Sequence, residues 1–147
     1  MNSIEPRPLI LVVDDEPMVR EWVCAVLEEE GYRVAVAADG DQALVIIRQE
    51  APVLMVLDMF MSGKEGLETI IELRKEHHSI KILATSGGPI HGFDALKIAR
   101  LFGAHAVFAK PFSAEVLLDG IAQVLNQSEP LSVRPEGDVS DRSSAWG

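Results

Sequence analysis

Residues 9–15, Leu9-Ile10-Leu11-Val12-Val13-Asp14-Asp15, form an unbroken apolar run that stops on two carboxylates. The pattern returns twice. Val53-Leu54-Met55-Val56-Leu57 ends in Asp58, and Ala106-Val107-Phe108-Ala109 ends in Lys110-Pro111. Continuous Val/Ile/Leu runs, rather than alternating ones, mark strands covered on both faces. Five such runs, at 8–13, 32–37, 53–57, 80–85 and 105–109, alternate with helical patterns at 17–30, 40–50, 65–77, 91–102 and 113–127. Strict alternation predicts an α/β fold: a doubly wound parallel sheet with right-handed crossovers and helices on both faces. Ligands of such sheets bind beyond the carboxyl ends of the strands, where strand order reverses. Asp14, Asp15, Asp58 and Lys110 fall at those ends.

The helical patterns carry their own punctuation. Pro17 sits in a first turn, where a missing N–H costs nothing, and Gly31 follows the last apolar residue as a stop. Val19, Val23, Val26 and Leu27 recur at helical spacing, and Leu67, Ile70, Ile71 and Arg74 divide the faces of the third helix. In the last helix, Ser113 is the expected N-cap with Glu115 in the first turn. Val116, Leu117, Ile121, Val124 and Leu125 are expected to face inward.

Bulk properties narrow the function. The chain has 147 residues, which suits one domain. We expect a flexible N-terminus at 1–7, a domain at 8–127 and a disordered tail at 128–147, rich in Ser, Pro, Gly and acidic residues. A net charge of −10 disfavours a phosphate-backbone surface, so no nucleic-acid partner is expected. Cys24 is the single cysteine, so no disulfide forms within the chain, and a packed or half-exposed thiol is expected there. No apolar stretch reaches bilayer-spanning length and no signal-peptide pattern opens the chain, so no membrane partner and a reducing cytoplasm are expected.

The strand-end charges carry the chemistry. Alternation would point Asp14 and Asp15 to opposite faces, but past the last rung of a strand both side chains turn over the sheet edge. If the first and third strands are neighbours, Asp58 joins them. Carboxylates about 4 Å apart repel by roughly 4 kcal/mol at an effective dielectric of about 20, so such a cluster raises a pKa or recruits a cation. Carboxylate and carbonyl oxygens suit Mg²⁺ that keeps several waters. The bland alternative is ordinary loop acids, with Asp15 capping the helix that starts near Pro17.

Taken together, Val12-Val13-Asp14-Asp15-Glu16, Asp58-Met59-Phe60-Met61, Ala84-Thr85-Ser86-Gly87 and Lys110-Pro111-Phe112 resemble the receiver domain of two-component response regulators. The resemblance covers roughly residues 8–127 and is to the stand-alone, single-domain type that resembles the chemotaxis response regulator. It implies a flavodoxin-like sheet of order 2-1-3-4-5. It implies that Asp58 accepts a phosphoryl group from a histidine kinase or histidine phosphotransfer protein. It also implies direct Mg²⁺ ligation by Asp15, Asp58 and the Phe60 backbone carbonyl, with Asp14 acting through water. Lys110 would pair with the phosphoryl oxygens, Ser86 would donate its hydroxyl to one of them, and the Lys110–Pro111 bond would be cis. Thr85 competes with Ser86 for the hydroxyl role. Ser86 is favoured because the small Gly87 follows it.

Several positions depart from the family pattern. Ser62 replaces the usual proline. Val107 stands where receivers carry an aromatic ring that rotates on activation, while Phe108 should face the other way. Readout is therefore expected to lean on Ser86 and Gly87-Gly88-Pro89. Phe60 and Gly88 flank the phosphoryl site where polar residues are common, and Phe60 is expected to shield the acyl phosphate. His77, His78, His91 and His105 fit no ligand spacing and are expected to be solvated or helix-terminal. Trp22 and Trp146 are both expected away from Asp58. Met59 and Met61 are expected to pack.

The expected role is a phosphorylation-switched binding module, not an enzyme beyond its own Mg²⁺-dependent phosphorylation and dephosphorylation. It is expected to be a monomer or weak dimer. The downstream protein target is expected to contact the face made by the 91–102 helix, the 105–109 strand and the 113–127 helix, through Ile90, Phe93 and Lys97. A phosphorelay intermediate or phosphate sink, and a module excised from a larger regulator or hybrid kinase, are alternatives. A haloacid-dehalogenase-type phosphatase would need a second Asp where Phe60 stands. A flavin binder would need a Ser/Thr/Gly phosphate cradle where the first loop is acidic.

Overall fold

The structure is a computed structural model that describes residues 7–61, 66–76, 79–87, 97 and 99–126. In chain order it contains β1 (Leu9–Val13), α1 (Pro17–Glu29), β2 (Arg33–Ala37), α2 (Gly40–Glu50), β3 (Leu54–Asp58), α3 (Gly66–Lys75), β4 (Lys81–Ser86), β5 (Ala106–Ala109) and α4 (Ala114–Leu125). Residues 97 and 99–101 are helical, within the helix expected at 91–102. Expectations for residues 1–6, Ser62, His77, His78, Gly88, Pro89, Ile90, His91, Phe93, Trp146 and the tail lie outside the described residues.

All strand pairings are parallel, in the order β2-β1-β3-β4-β5. This is the flavodoxin-like order that the motifs implied. β1 and β3 are interior strands of this sheet, and every residue of both is buried. Alternate residues serve opposite faces, as the pleat requires. Leu11, Val13, Met55, Leu57, Ile82 and Ala84 join α2 and α3 in one core. Ile10, Val12, Leu54, Val56 and Leu83 join α1 and α4 in the other. Burying each large aliphatic side chain contributes about 1.5–3 kcal/mol, so this two-sided burial dominates the stability of the sheet.

The helix ends follow local chemistry. Asp39 caps α2 by accepting the Gln42 N–H at 2.9 Å, and Ser113 caps α4 by accepting the Val116 N–H at 3.0 Å. Gly31 adopts φ 103° after α1, a left-handed geometry that an L side chain resists. Val107 packs against the α2–α3 core and Phe108 against the α1–α4 core, so the two do face opposite ways.

Two expectations fail here. Val116 is 45% exposed, because the inward stripe of α4 runs through Leu117, Gly120, Ile121 and Val124 and leaves Val116 about a quarter turn away. His105 is not solvated. It is buried, and its Nδ1 accepts the Ile82 N–H at 3.1 Å while the His105 backbone N–H donates to the Ile82 carbonyl at 2.7 Å. The imidazole thereby stands in for a strand neighbour at the start of the β4–β5 ladder. Burial, then the charges of Arg74 and Lys81, push its pKa down to about 4.

Candidate functional site

The topology gathers the strand-end charges. β1 and β3 are neighbours, with Val13 opposite Leu57, so Asp14 and Asp58 leave the sheet side by side. Asp58 lies opposite Thr85, and Ser86 opposite Ala109, which brings Lys110 to the same edge. Carboxylate oxygens of Asp14, Asp15 and Asp58 all lie within 4.8 Å of one another. Asp14 and Asp58 are buried and Asp15 is half-buried. Asp15 does not cap α1: the N-cap is Glu16, and its N–H donates to Asp14 Oδ1 at 2.9 Å.

Lys110 reaches across this edge. Its Nζ is 2.9 Å from Asp14 Oδ2, 3.5 Å from Asp58 Oδ2 and 3.8 Å from Glu16 Oε1. Burial works against the Lys110 charge, but the hydrogen bond to Asp14 and the charges of Asp58, Asp14 and Glu16 outweigh it and raise its pKa. Burial pushes Asp58 up to about 6. The Lys110 charge and the Phe60 N–H, which donates to Asp58 Oδ1 at 3.2 Å, pull it down, while Asp14 and Asp15 push it further up. A buried carboxylate left short of counter-charge is what a cation relieves.

The walls are close-fitting. Ser86 ends β4 almost fully buried, and its carbonyl accepts the Lys110 N–H at 2.8 Å. The Lys110–Pro111 bond is cis, as the motif implied. Phe60 is 40% exposed at the rim. Phe112 bridges to α1, with its ring 6.0 Å from that of Trp22 and 6.2 Å from that of Phe108, so Trp22 touches the loop after Lys110.

Three residues had been given no role. Glu16 contacts Lys110 although nothing but its place after Asp15 pointed there. Gly66 opens α3 directly against the site, and a Cβ on it would lie 2.6 Å from Met59 Cα and 2.7 Å from the Asp58 carbonyl oxygen. A glycine eight residues after Asp58 is the only sequence signal of that contact. Arg20 donates from Nη1 to the Asp14 carbonyl at 2.7 Å. Its position, a turn inside an amphipathic helix, reads as a solvated charge.

A family model described as the response regulator receiver domain matches residues 10–122. Sporulation initiation phosphotransferase F of Bacillus subtilis is 34% identical over 117 residues, covering 79% of this chain and 92% of that protein. The nitrogen assimilation regulatory protein NtrX of Azorhizobium caulinodans is 37% identical over 112 residues, covering 74% of this chain and 24% of NtrX. The crystal structure of the receiver domain of NtrX from Brucella abortus superposes with a TM-score of 0.76 at 34% identity, covering 81% of this chain and 99% of that one. The chain spans a quarter of the first NtrX and about half of several other curated relatives. With 113 consecutive residues matched, site edge included, the chain belongs to the response regulator receiver domain family.

Proposed function

We propose that Asp58 accepts a phosphoryl group from the phosphohistidine of a histidine kinase or histidine phosphotransfer protein, in a Mg²⁺-dependent reaction, and that the acyl phosphate switches a protein contact. The observation that carries this reading is the Asp58 carboxylate: buried at the end of β3, clustered with Asp14 and Asp15, and 3.5 Å from Lys110.

An Asp58 oxygen forms the new P–O bond as the P–N bond breaks, and that electron pair stays on the departing imidazole nitrogen. Lys110 would move its charge from the carboxylates towards the phosphoryl oxygens, and the Ser86 hydroxyl would donate to one of them. These residues position and neutralise, which is the main task in phosphoryl transfer. The clustered carboxylates fit a hard cation that takes oxygen ligands. Asp15, Asp58 and the Phe60 carbonyl would hold Mg²⁺ directly. Asp14 suits a role through water, because its Oδ1 is engaged by the Glu16 N–H and its Oδ2 by Lys110. When bound, Mg²⁺ supplies charge compensation between the acceptor and the phosphoryl oxygens.

The protein is thus proposed to be a binding module whose chemistry is confined to itself, not an enzyme acting on other substrates. No described helix is long and apolar enough to cross a membrane, and we infer a cytoplasmic setting from the kinase-dependent role. Several relatives are named as transcriptional or DNA-binding regulators. For this chain, the −10 charge favours protein over nucleic-acid contact. A relay role is the second reading, favoured by the near end-to-end similarity to a sporulation phosphotransferase.

Labelling with acetyl phosphate, followed by intact mass, tests the proposal. Wild type should gain one phosphoryl group only with Mg²⁺ present, and Asp58→Asn should gain none. Absence of label on wild type, or equal label on the variant, overturns it.

A further inference from the structure

Every polar group of Asp14 is engaged by a different part of the protein. Its N–H donates to the Ala37 carbonyl of β2 at 3.2 Å. Its carboxylate accepts the Glu16 N–H at 2.9 Å and the Lys110 ammonium at 2.9 Å. Its carbonyl accepts from Arg20 Nη1 at 2.7 Å. That carbonyl lies one residue past the last rung of β1, where no strand neighbour pairs with it. Arg20 supplies the missing donor from the second turn of α1.

The bond has a geometric consequence. The Asp14 carbonyl belongs to the peptide unit that joins Asp14 to Asp15, and that unit is planar. Holding its oxygen restrains rotation of that plane, and so restrains the backbone from which both carboxylates project. We propose that Arg20 is a positioning residue for the Asp14–Asp15 pair, setting the carboxylate spacing to which a divalent cation binds. The inference rests on the metal reading above. It makes α1 part of the site's supporting shell, although Arg20 touches neither Asp58 nor Lys110 in any observed contact.

Charge and geometry predict opposite signs, which makes the role testable. Arg20 is a permanent cation near an acidic cluster, so removing charge alone would tighten cation binding. Losing the positioning would weaken it, and supporting partners of metal ligands commonly contribute roughly 10–100-fold in affinity. The experiment is calorimetric titration of the full chain with Mg²⁺, for wild type, Arg20→Met and Arg20→Lys, alongside acetyl phosphate labelling at saturating Mg²⁺. Arg20→Met should raise the Mg²⁺ dissociation constant roughly 10-fold, while the labelling rate at saturation stays near wild type. Equal or tighter Mg²⁺ binding by Arg20→Met overturns the proposal, as does a labelling rate that stays depressed at saturation. Should Arg20→Met fail to fold, Arg20→Lys decides: weaker binding supports the role, because a lysine keeps the charge with a different reach, and wild-type binding overturns it. Wild type that binds no Mg²⁺ would remove the metal reading itself. Normal wild-type binding with an unaffected Arg20→Met would remove only the positioning role.

Discussion

The two ends of the sheet use ionisable groups in opposite ways. At the carboxyl end, Asp14, Asp58 and Glu16 surround Lys110 with Asp15 beside the two buried carboxylates, and Asp58 is left with a raised pKa near 6. At the amino end, cations meet backbone carbonyls. Lys81 Nζ donates to the Val124 and Leu125 carbonyls at 3.2 and 3.3 Å, at the C-terminal end of α4, where positive charge is favoured. Arg74 Nη2 donates to the Gly103 carbonyl at 2.9 Å, and His105 stays neutral between β4 and β5. One end closes its hydrogen bonds within the backbone and contributes stability. The other holds charge that a ligand must complete, and so it stores cost for function.

The largest expected effect breaks the comparison at the carboxyl end. Gly66→Val would drive a side chain into the Asp58–Met59 backbone, and should destabilise by about 3 kcal/mol in urea unfolding. It should also slow acetyl phosphate labelling, because the group that must give way is the backbone of Asp58, the proposed phosphoryl acceptor. Unchanged stability would mean that α3 moves off freely.

Next comes the amino end. His105→Ala leaves the Ile82 N–H buried without its acceptor, at an expected cost of about 2 kcal/mol at pH 7. The folded protein holds His105 neutral down to about pH 4, whereas the unfolded chain takes up that proton near 6.5. Wild type therefore loses this contribution as pH falls from about 6.5 to 4, and the variant does not.

The smallest effect carries the opposite sign. Folded Asp58 holds its proton up to about pH 6, above its value of 3.8 when exposed. Its contribution is therefore present at low pH and is lost as pH rises from about 4 to 6. Asp58→Asn in the absence of divalent metal should stabilise the fold by about 1.5 kcal/mol at pH 7, with no gain at pH 3.5. The two windows overlap with opposite slopes, so each variant exposes the other end's slope in a pH series of unfolding curves. Parallel slopes in the two variants would refute the contrast.

The fold was legible because two-sided burial writes itself into the chain. β1 and β3 read as continuous apolar runs, and each observed strand starts and ends within one residue of its expected bounds. The acidic cluster was legible too, because strand ends in a parallel sheet share an edge. Glu16, Gly66 and Arg20 were not, since their roles depend on a side chain or backbone atom of another element. His105 misled for the same reason: its partner, Ile82, lies 23 residues away in the chain.

What the amino-acid sequence alone determined is the alternation of elements, the family, and the set of charged residues at the strand ends, all consequences of local pattern and order. Only the tertiary structure decided which carboxylate Lys110 holds most closely, how far burial raises Asp58, and that Arg20 grips the peptide between Asp14 and Asp15. Distances of a few ångströms and the local exclusion of water set those properties, and neither exists until the strands and helices have packed.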